Sequence, residues 1–318
     1  MRGYVLRRLL ALLPTLLLAS IIVFVTVRLI PGDVIDLMLS QNDVSADKKS
    51  REQILALLGM DRPMWLQYFR WLSAIVLHGD LGQSLWQGTP VTEQLAARLP
   101  VTFELGAIAM AVGLLIALPI GIYSAVRQDT AGDYLARSFS ILLLAVPSFW
   151  LGTMVVVFTS IWWGWSPSVD YVGFFASPRA NLSQMLLPGV VLGAALSAVT
   201  MRMTRTMMLE VLRQDYIRTA WAKGLNERLV IVRHALRNAM IPVVTLVGLQ
   251  APLLIGGAVI IEQIFVIPGM GLLLLEAVQQ RDYPIITGVF LMVGVAVMAI
   301  NLLVDLTYGL LDPKVRMR

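Results

Sequence analysis

Six apolar runs, each long enough to cross a bilayer, constrain this chain more than any other feature. They cover about Leu9–Ile30, Leu105–Val126, Phe139–Trp163, Met185–Met201, Ala239–Ile261 and Ile285–Leu306. A spanning helix needs roughly 17–25 mostly apolar residues, because hydrocarbon offers no partner to an open backbone amide. Only 14% of the 318 residues are charged, against roughly 25% in soluble domains. The expected fold is an all-α membrane protein with six transmembrane helices. The fourth run is the shortest, because Arg202 and Arg205 cut it off.

The first run opens as a secretory leader would, with Arg2, Arg7 and Arg8. Its apolar stretch continues to Val27, beyond the roughly 7–15 residues of a leader's apolar region, so it reads as an uncleaved span. The organisation expected is an N-terminal transmembrane helix (1–30), an extracytoplasmic segment (31–100), a five-helix core (101–311) containing a basic connector (202–237), and a cytoplasmic tail (312–318).

Charge sets the expected topology. With the amino terminus inside, the inner segments 1–8, 127–137, 202–237 and 312–318 hold 16 of the 25 Lys and Arg residues. Seven more lie between Arg28 and Arg98, in a segment long enough to translocate whatever its charge. The short outer loops hold two, Arg179 and Arg281. Both termini are therefore expected in the cytoplasm. Segment 202–237 carries eight basic and three acidic residues, a net of +5 that equals the net charge of the whole chain. Orientation alone needs two or three. The excess fits anionic lipid headgroups or an acidic partner surface, and nothing calls for nucleic acid.

Absent motifs bound the chemistry. The chain has no cysteine, which excludes disulfides and thiol catalysis. Its two histidines, His78 and His234, fall on opposite sides of the expected membrane, so neither metal-ligand spacing nor a Ser–His pair at membrane depth is available. None of the four lysines follows a glycine, so there is no G-x-x-x-x-G-K-[ST] phosphate loop. A nucleotide driving transport would be bound by another chain. Glu104 and Glu262 sit near outer span ends and Asp305 near an inner one. They form no series of groups for a proton relay, which weighs against the alternative of a stand-alone secondary transporter or channel. An intramembrane enzyme would lack a catalytic pair.

Small residues recur at spacing four: Ala109, Gly113, Ala117 and Gly121 in the second span, and Gly189, Gly193 and Ser197 in the fourth. Residues four apart share a helix face, and small faces let membrane helices approach closely. In the fifth span Gln250, Pro252 and the Gly256-Gly257 pair make a weakened, polar helix, as expected beside a water-accessible pathway. Gln250, Gly256, Gly257 and Glu262 are the candidate pathway residues.

The connector has its own pattern. Asp215 is placed to cap a short helix. Ile217, Ala220 and Trp221 would share one face, with Arg218 and Lys223 projecting elsewhere. Gly224 would take the left-handed conformation that ends the helix. Asn226 would cap a second helix running through Val230, Arg233 and Leu236 into the fifth span.

Arg218-Thr219-Ala220, then Gly224, then His234-Ala235-Leu236-Arg237-Asn238-Ala239 and Ile241-Pro242 resemble the "EAA" coupling loop of ABC importer permeases. Arg218 stands where Glu is usual and Arg237 where Pro is usual, departures found in peptide and nickel permeases. The likeness covers nearly the whole chain: Tyr4-Val5-Leu6-Arg7-Arg8, Ile30-Pro31-Gly32-Asp33, Leu58-Gly59-Met60-Asp61-Arg62-Pro63, His78-Gly79-Asp80-Leu81-Gly82, Arg98-Leu99-Pro100-Val101-Thr102, Pro268-Gly269-Met270-Gly271, Arg281-Asp282-Tyr283-Pro284 and Asn301-Leu302-Leu303-Val304-Asp305. Together they resemble the first, B-type, permease subunit of dipeptide, oligopeptide, glutathione and nickel importers.

That resemblance implies a type I ABC importer permease fold in a bacterial-type inner membrane. It implies a homologous second permease, two ATPase subunits or domains that bind ATP and Mg, and an extracytoplasmic substrate-binding protein. No cofactor is expected in this chain. Asp215, Tyr216, Ile217, Arg218, Thr219, Ala220, Trp221, Lys223 and Gly224 would form the coupling helix, seated in the ATPase. The segment 31–100 and the loop 263–284 would face the binding protein, while the apolar stripe at Trp65, Tyr68, Phe69 and Leu72 within that segment is expected to pack on the domain itself or on the bilayer surface. The cargo, whether peptide, glutathione, opine, sugar or nickel chelate, is not written in the chain.

Overall fold

The computed structural model describes residues 2–29 and 61–311. Ile30-Pro31-Gly32-Asp33, Leu58-Gly59-Met60 and the tail 312–318 lie outside the described residues, as do the surroundings of Gly257 and Asp305. In chain order the helices are α1 (Arg2–Arg28), α2 (Met64–His78), α3 (Val91–Val126), α4 (Ala131–Ala145), α5 (Ser148–Trp163), α6 (Pro178–Leu212), α7 (Asp215–Ala222) and α8 (Glu227–Leu229). A π-helical stretch (Val230–Leu236) leads into α9 (Arg237–Ile264), followed by α10 (Met270–Gln280) and α11 (Tyr283–Leu311). Among the described residues the one pairing of extended backbone is an isolated antiparallel bridge between Gln83 and Pro90. Five helical segments there are long and apolar enough to cross a membrane, or six if the bent pair α4 and α5 counts as one.

That bend corrects the reading of the third run. α4 and α5 meet at 95°. Pro147 forces the break, since its ring disfavours helical backbone at the preceding residue, and Val146 is extended at φ −89°, ψ 120°. The fourth run also differs. Arg202 and Arg205 do not end it, and α6 runs on to Leu212, 35 residues in all. The arginines are tolerated because they lie at the membrane-edge end, where Arg205 finds a carboxylate on α4. Helix α10, inside the expected loop 263–284, has no spanning pattern and was not anticipated.

Two compact units share the chain. One comprises Met1–Val5, Pro100–Leu272 and Ala299–Arg318. In it the two small-residue stripes face each other. A Cβ built on Gly193 would lie 2.5 Å from the Ala109 carbonyl oxygen, and one on Gly113 would lie 3.1 Å from the Gly193 oxygen. Backbone meets backbone there, a distance only small residues permit. Around this seam Leu105, Met185, Leu192, Ala258, Ile261 and Phe265 form a buried core. At the far end of α6, buried Asp133 accepts two hydrogen bonds from Arg205, both at 2.9 Å, and one from Ser124.

The second unit comprises Leu6–Leu99 and Leu273–Met298. Here α2 packs on α1 through rings: Phe24 lies 5.3 Å from Tyr68 and 5.4 Å from Trp71, centroid to centroid. The Arg28 guanidinium covers the Phe24 ring at 3.6 Å and donates to Gln67 at 2.9 Å. The expected stripe on α2 is therefore split. Tyr68 turns inward, while Trp65 and Phe69 stay exposed. In the same unit, Asp282 is fully buried and accepts from the Ser84 hydroxyl at 2.6 Å and the Leu85 amide at 3.1 Å.

Candidate functional site

The connector folds as a short helix and a sharp turn. α7 has eight residues, too few to hold its shape in water without tertiary support. Support comes from one face. Ile217 is fully buried and Ala220 nearly so, and they pack with Met208, Ala125, Val230, Ala235 and Ala239. That cluster joins α7 to the ends of α3 and α6, to the π-helical stretch and to the start of α9. Burying an isoleucine side chain contributes about 1.5–3 kcal/mol, so Ile217 is the main anchor.

The remaining face is open. Tyr216, Trp221 and Leu225 are exposed large apolar residues, continued by Leu229 and Val232. Trp221 does not share the buried face with Ile217 and Ala220, a correction to the sequence expectation. Asp215 differs too. It is the first helical residue, the N-cap position is Gln214, and no side chain caps this end. The Asp215 carboxylate instead lies 3.5 Å from the Arg218 guanidinium, with both groups well exposed. Its charge still suits the helix N-terminus. Thr219 donates to the Asp215 carbonyl at 2.9 Å.

The end of α7 is as the sequence indicated. Gly224 has φ +75°. The Gly224 amide donates to the Trp221 carbonyl at 2.9 Å and the Leu225 amide to the Ala220 carbonyl at 3.4 Å, the paired bonds of a glycine-terminated helix. Lys223 occupies the C-cap, where a cation is favoured by the helix dipole. Asn226 then caps the next helix, accepting from the Arg228 amide at 2.9 Å.

Two features here carried no signal that pattern reading could use. Tyr216 is tied across the turn to α9, its hydroxyl accepting from the Asn238 side-chain amide at 2.8 Å, while the same amide nitrogen donates to the His234 carbonyl at 3.1 Å. The second is the π-helical stretch Val230–Leu236, a wide turn in an otherwise α-helical run. Such stretches are rare and occur frequently at functional sites.

The candidate pathway residues are scattered along α9. Gly256 is exposed, with nothing within 4 Å of a built Cβ. Gln250 is buried, accepts from Thr200 at 3.3 Å, and leaves its Nε2 without a hydrogen-bond partner. Glu262 is fully buried. It accepts from Thr102 at 2.6 Å and from the amides of Gly271 and Leu272 at 2.7 and 3.0 Å. Thr102 in turn accepts from the Met270 amide at 2.8 Å. Glu262 thus pins the start of α10 against α3, with its oxygens directed into the protein. Outside the spans, Tyr171 donates to Glu104 at 2.7 Å, and burial together with that carboxylate pushes its phenol above the usual tyrosine range. Among the described residues no group of three or more His, Asp or Glu side chains could hold a metal ion.

Residues 117–317 match the family described as binding-protein-dependent transport system inner membrane component. Residues 1–106 match the corresponding N-terminal family. The chain is 39% identical over 339 residues to the dipeptide transport system permease protein DppB of Escherichia coli K12, covering 99% of both. It is 40% identical over 318 residues to the oligopeptide transport system permease protein AppB of Bacillus subtilis, again covering 99% of both. In fold it is similar to a chain of the MetNI methionine ABC transporter in an inward-facing conformation, with a TM-score of 0.57 at 17% identity, over 69% of this chain and 96% of that one.

Proposed function

The chain belongs to the family of binding-protein-dependent transport system inner membrane components and is a multi-pass permease subunit of an ABC importer, and from that premise we propose that it carries peptides and is driven through α7. The full-length similarity to dipeptide and oligopeptide permeases supports the cargo. The amphipathic geometry of α7 supports the drive. A second, homologous permease completes the pathway, two separate ATPase subunits bind ATP and Mg and hydrolyse the nucleotide, and an extracytoplasmic binding protein delivers the peptide. Both termini and α7 lie in the cytoplasm, in line with the charge asymmetry of the short loops.

The single observation that carries the coupling reading is the division of α7 into two faces. Tyr216, Arg218, Trp221 and Lys223 form the face the ATPase grips. Ile217 and Ala220 form the face that passes the displacement on, because they are locked among α3, α6, the π-helical stretch and α9. Close-packed interiors transmit a push rather than absorb it. Along α9, Gly256 forms part of the pathway wall, while Gln250 and Glu262 stiffen it from behind.

Copurification tests this reading. Tagged chain extracted with neighbouring gene products should bring down ATPase subunits, and a cysteine placed at Trp221 should cross-link to them. The reading fails if no ATPase associates, or if the purified chain alone moves peptide into vesicles on an ion gradient without ATP.

A further inference from the structure

A groove of about 300 Å³ opens between α4 and α6 at the end where α6 leaves the apolar zone. Its polar end holds three guanidinium groups, from Arg137, Arg202 and Arg205, and its wall is built by Ile141, Leu144 and Met201. Their charges are unequally committed. Arg205 is consumed by Asp133, which it holds through two hydrogen bonds. Arg137 lies 3.3 Å from the same carboxylate and 3.8 Å from Asp129. Its Nε is buried with no hydrogen-bond acceptor. Arg202 is exposed, and among the described residues it makes no ion pair. Three cations therefore face two carboxylates, leaving one positive charge at the rim and, behind it, a buried N–H donor without an acceptor.

The other end of the groove is as distinctive. Ile141 and Leu144 are exposed at 67% and 44%, and they continue an apolar surface along α4 with Leu142 and Phe139. An occupant must offer one net negative charge with several acceptor oxygens, attached to a long apolar body. A free anion lacks the apolar part and a free acyl chain lacks the charge.

We propose that this groove holds the phosphodiester headgroup of an anionic phospholipid of the cytoplasmic leaflet, with an acyl chain running along Ile141 and Leu144. A phosphodiester carries one negative charge, which matches the excess. Its oxygens accept from arginine in the forked geometry that guanidinium favours. Basic pockets between spans on the cytoplasmic side suit such headgroups. The bound lipid would brace the turn joining α3 to α4, since Asp133, Ser124 and Arg205 all anchor there.

Native mass spectrometry of the intact transporter, extracted from membranes containing phosphatidylglycerol and phosphatidylcholine, tests this. The wild type should retain phosphatidylglycerol in preference to phosphatidylcholine. Arg202→Glu should cut that retention at least about fivefold, given roughly 1 kcal/mol per basic residue near an anionic surface, and Arg202→Lys should keep it. Ile141→Glu, on the apolar wall, should also cut it. Because the chain has no cysteine, Leu144→Cys can carry a photoreactive group, which should capture lipid. Equal retention of the two lipids, or unchanged retention in both charge-altering variants, overturns the proposal. Capture of the second permease in place of lipid overturns it too, since the groove would then be a subunit interface.

Discussion

The Tyr216 hydroxyl and the Asn238 side-chain amide meet at 2.8 Å, 22 positions apart in sequence. The bond fastens the exposed face of α7 to the start of α9, so the short helix is held on both sides: by Ile217 and Ala220 in the core, and by Tyr216 above the turn. In the proposed coupling role α7 must not pivot on its anchor, and the Tyr216–Asn238 bond resists that rotation.

Tyr216→Phe should therefore lower peptide uptake severalfold while changing stability by about 1 kcal/mol or less, the usual net worth of one hydrogen bond. Asn238→Ala should do the same, and the double variant should be no worse than either single one. Uptake of labelled peptide, set against membrane abundance of each variant, checks this. Additive losses would show that the two residues act separately.

Gly224→Val should insert normally and lose most transport. No atom lies within 4 Å of a built Cβ at Gly224, so the penalty comes only from the left-handed backbone, about 1–2 kcal/mol for a residue with a Cβ. Gly224→Asn, which tolerates that conformation better, should retain more uptake than Gly224→Val. Equal uptake by both variants would remove the turn from the coupling account.

Two glycines on facing sides of the stability question should behave oppositely. Gly193→Ala forces a methyl to within 2.5 Å of the Ala109 oxygen, which should cost about 1–3 kcal/mol and lower the melting temperature in detergent. Gly256→Ala meets nothing and should stabilise α9 by up to about 1 kcal/mol. If Gly256 lines the pathway, the same variant should slow uptake even as it melts higher.

Asp282 should make stability depend on pH. Burial pushes its carboxyl above the ordinary aspartate range, although Ser84 and backbone amides pull the other way. The folded state thus keeps the proton longer than the unfolded chain. Its contribution is present below the unfolded value of about 4, and it is lost as pH rises through the folded value. Melting temperature followed upward from that point should show this decline, and Asp282→Asn should flatten it.

The connector shows how far pattern reading reaches. The Gly224 turn and the Asn226 cap were legible because each depends on one residue's own backbone or side chain. The burial of Ile217 and Ala220 followed from their spacing. Trp221 and Asp215 were misplaced for one reason: which neighbour covers a helix face, and whether a carboxylate caps or pairs, depend on residues distant in sequence. Glu262 looked like a pathway group because an acid in an apolar run is conspicuous. Only the approach of Thr102 and the Gly271 and Leu272 amides shows that its charge is satisfied inside the protein.

By itself the sequence determined that this chain spans a membrane, which short loops carry the positive charge, and that α7 is a separate amphipathic element. Those properties follow from apolar run length, local charge and residue periodicity, which need no knowledge of neighbours. The tertiary structure alone decided the 95° angle at which α4 and α5 meet, that α6 continues through Arg202 and Arg205, and that α7 is fastened through Tyr216 to Asn238. Each of these depends on a partner dozens of residues away or on the angle at which two helices can pack. A chain read one position after another does not contain that information in visible form.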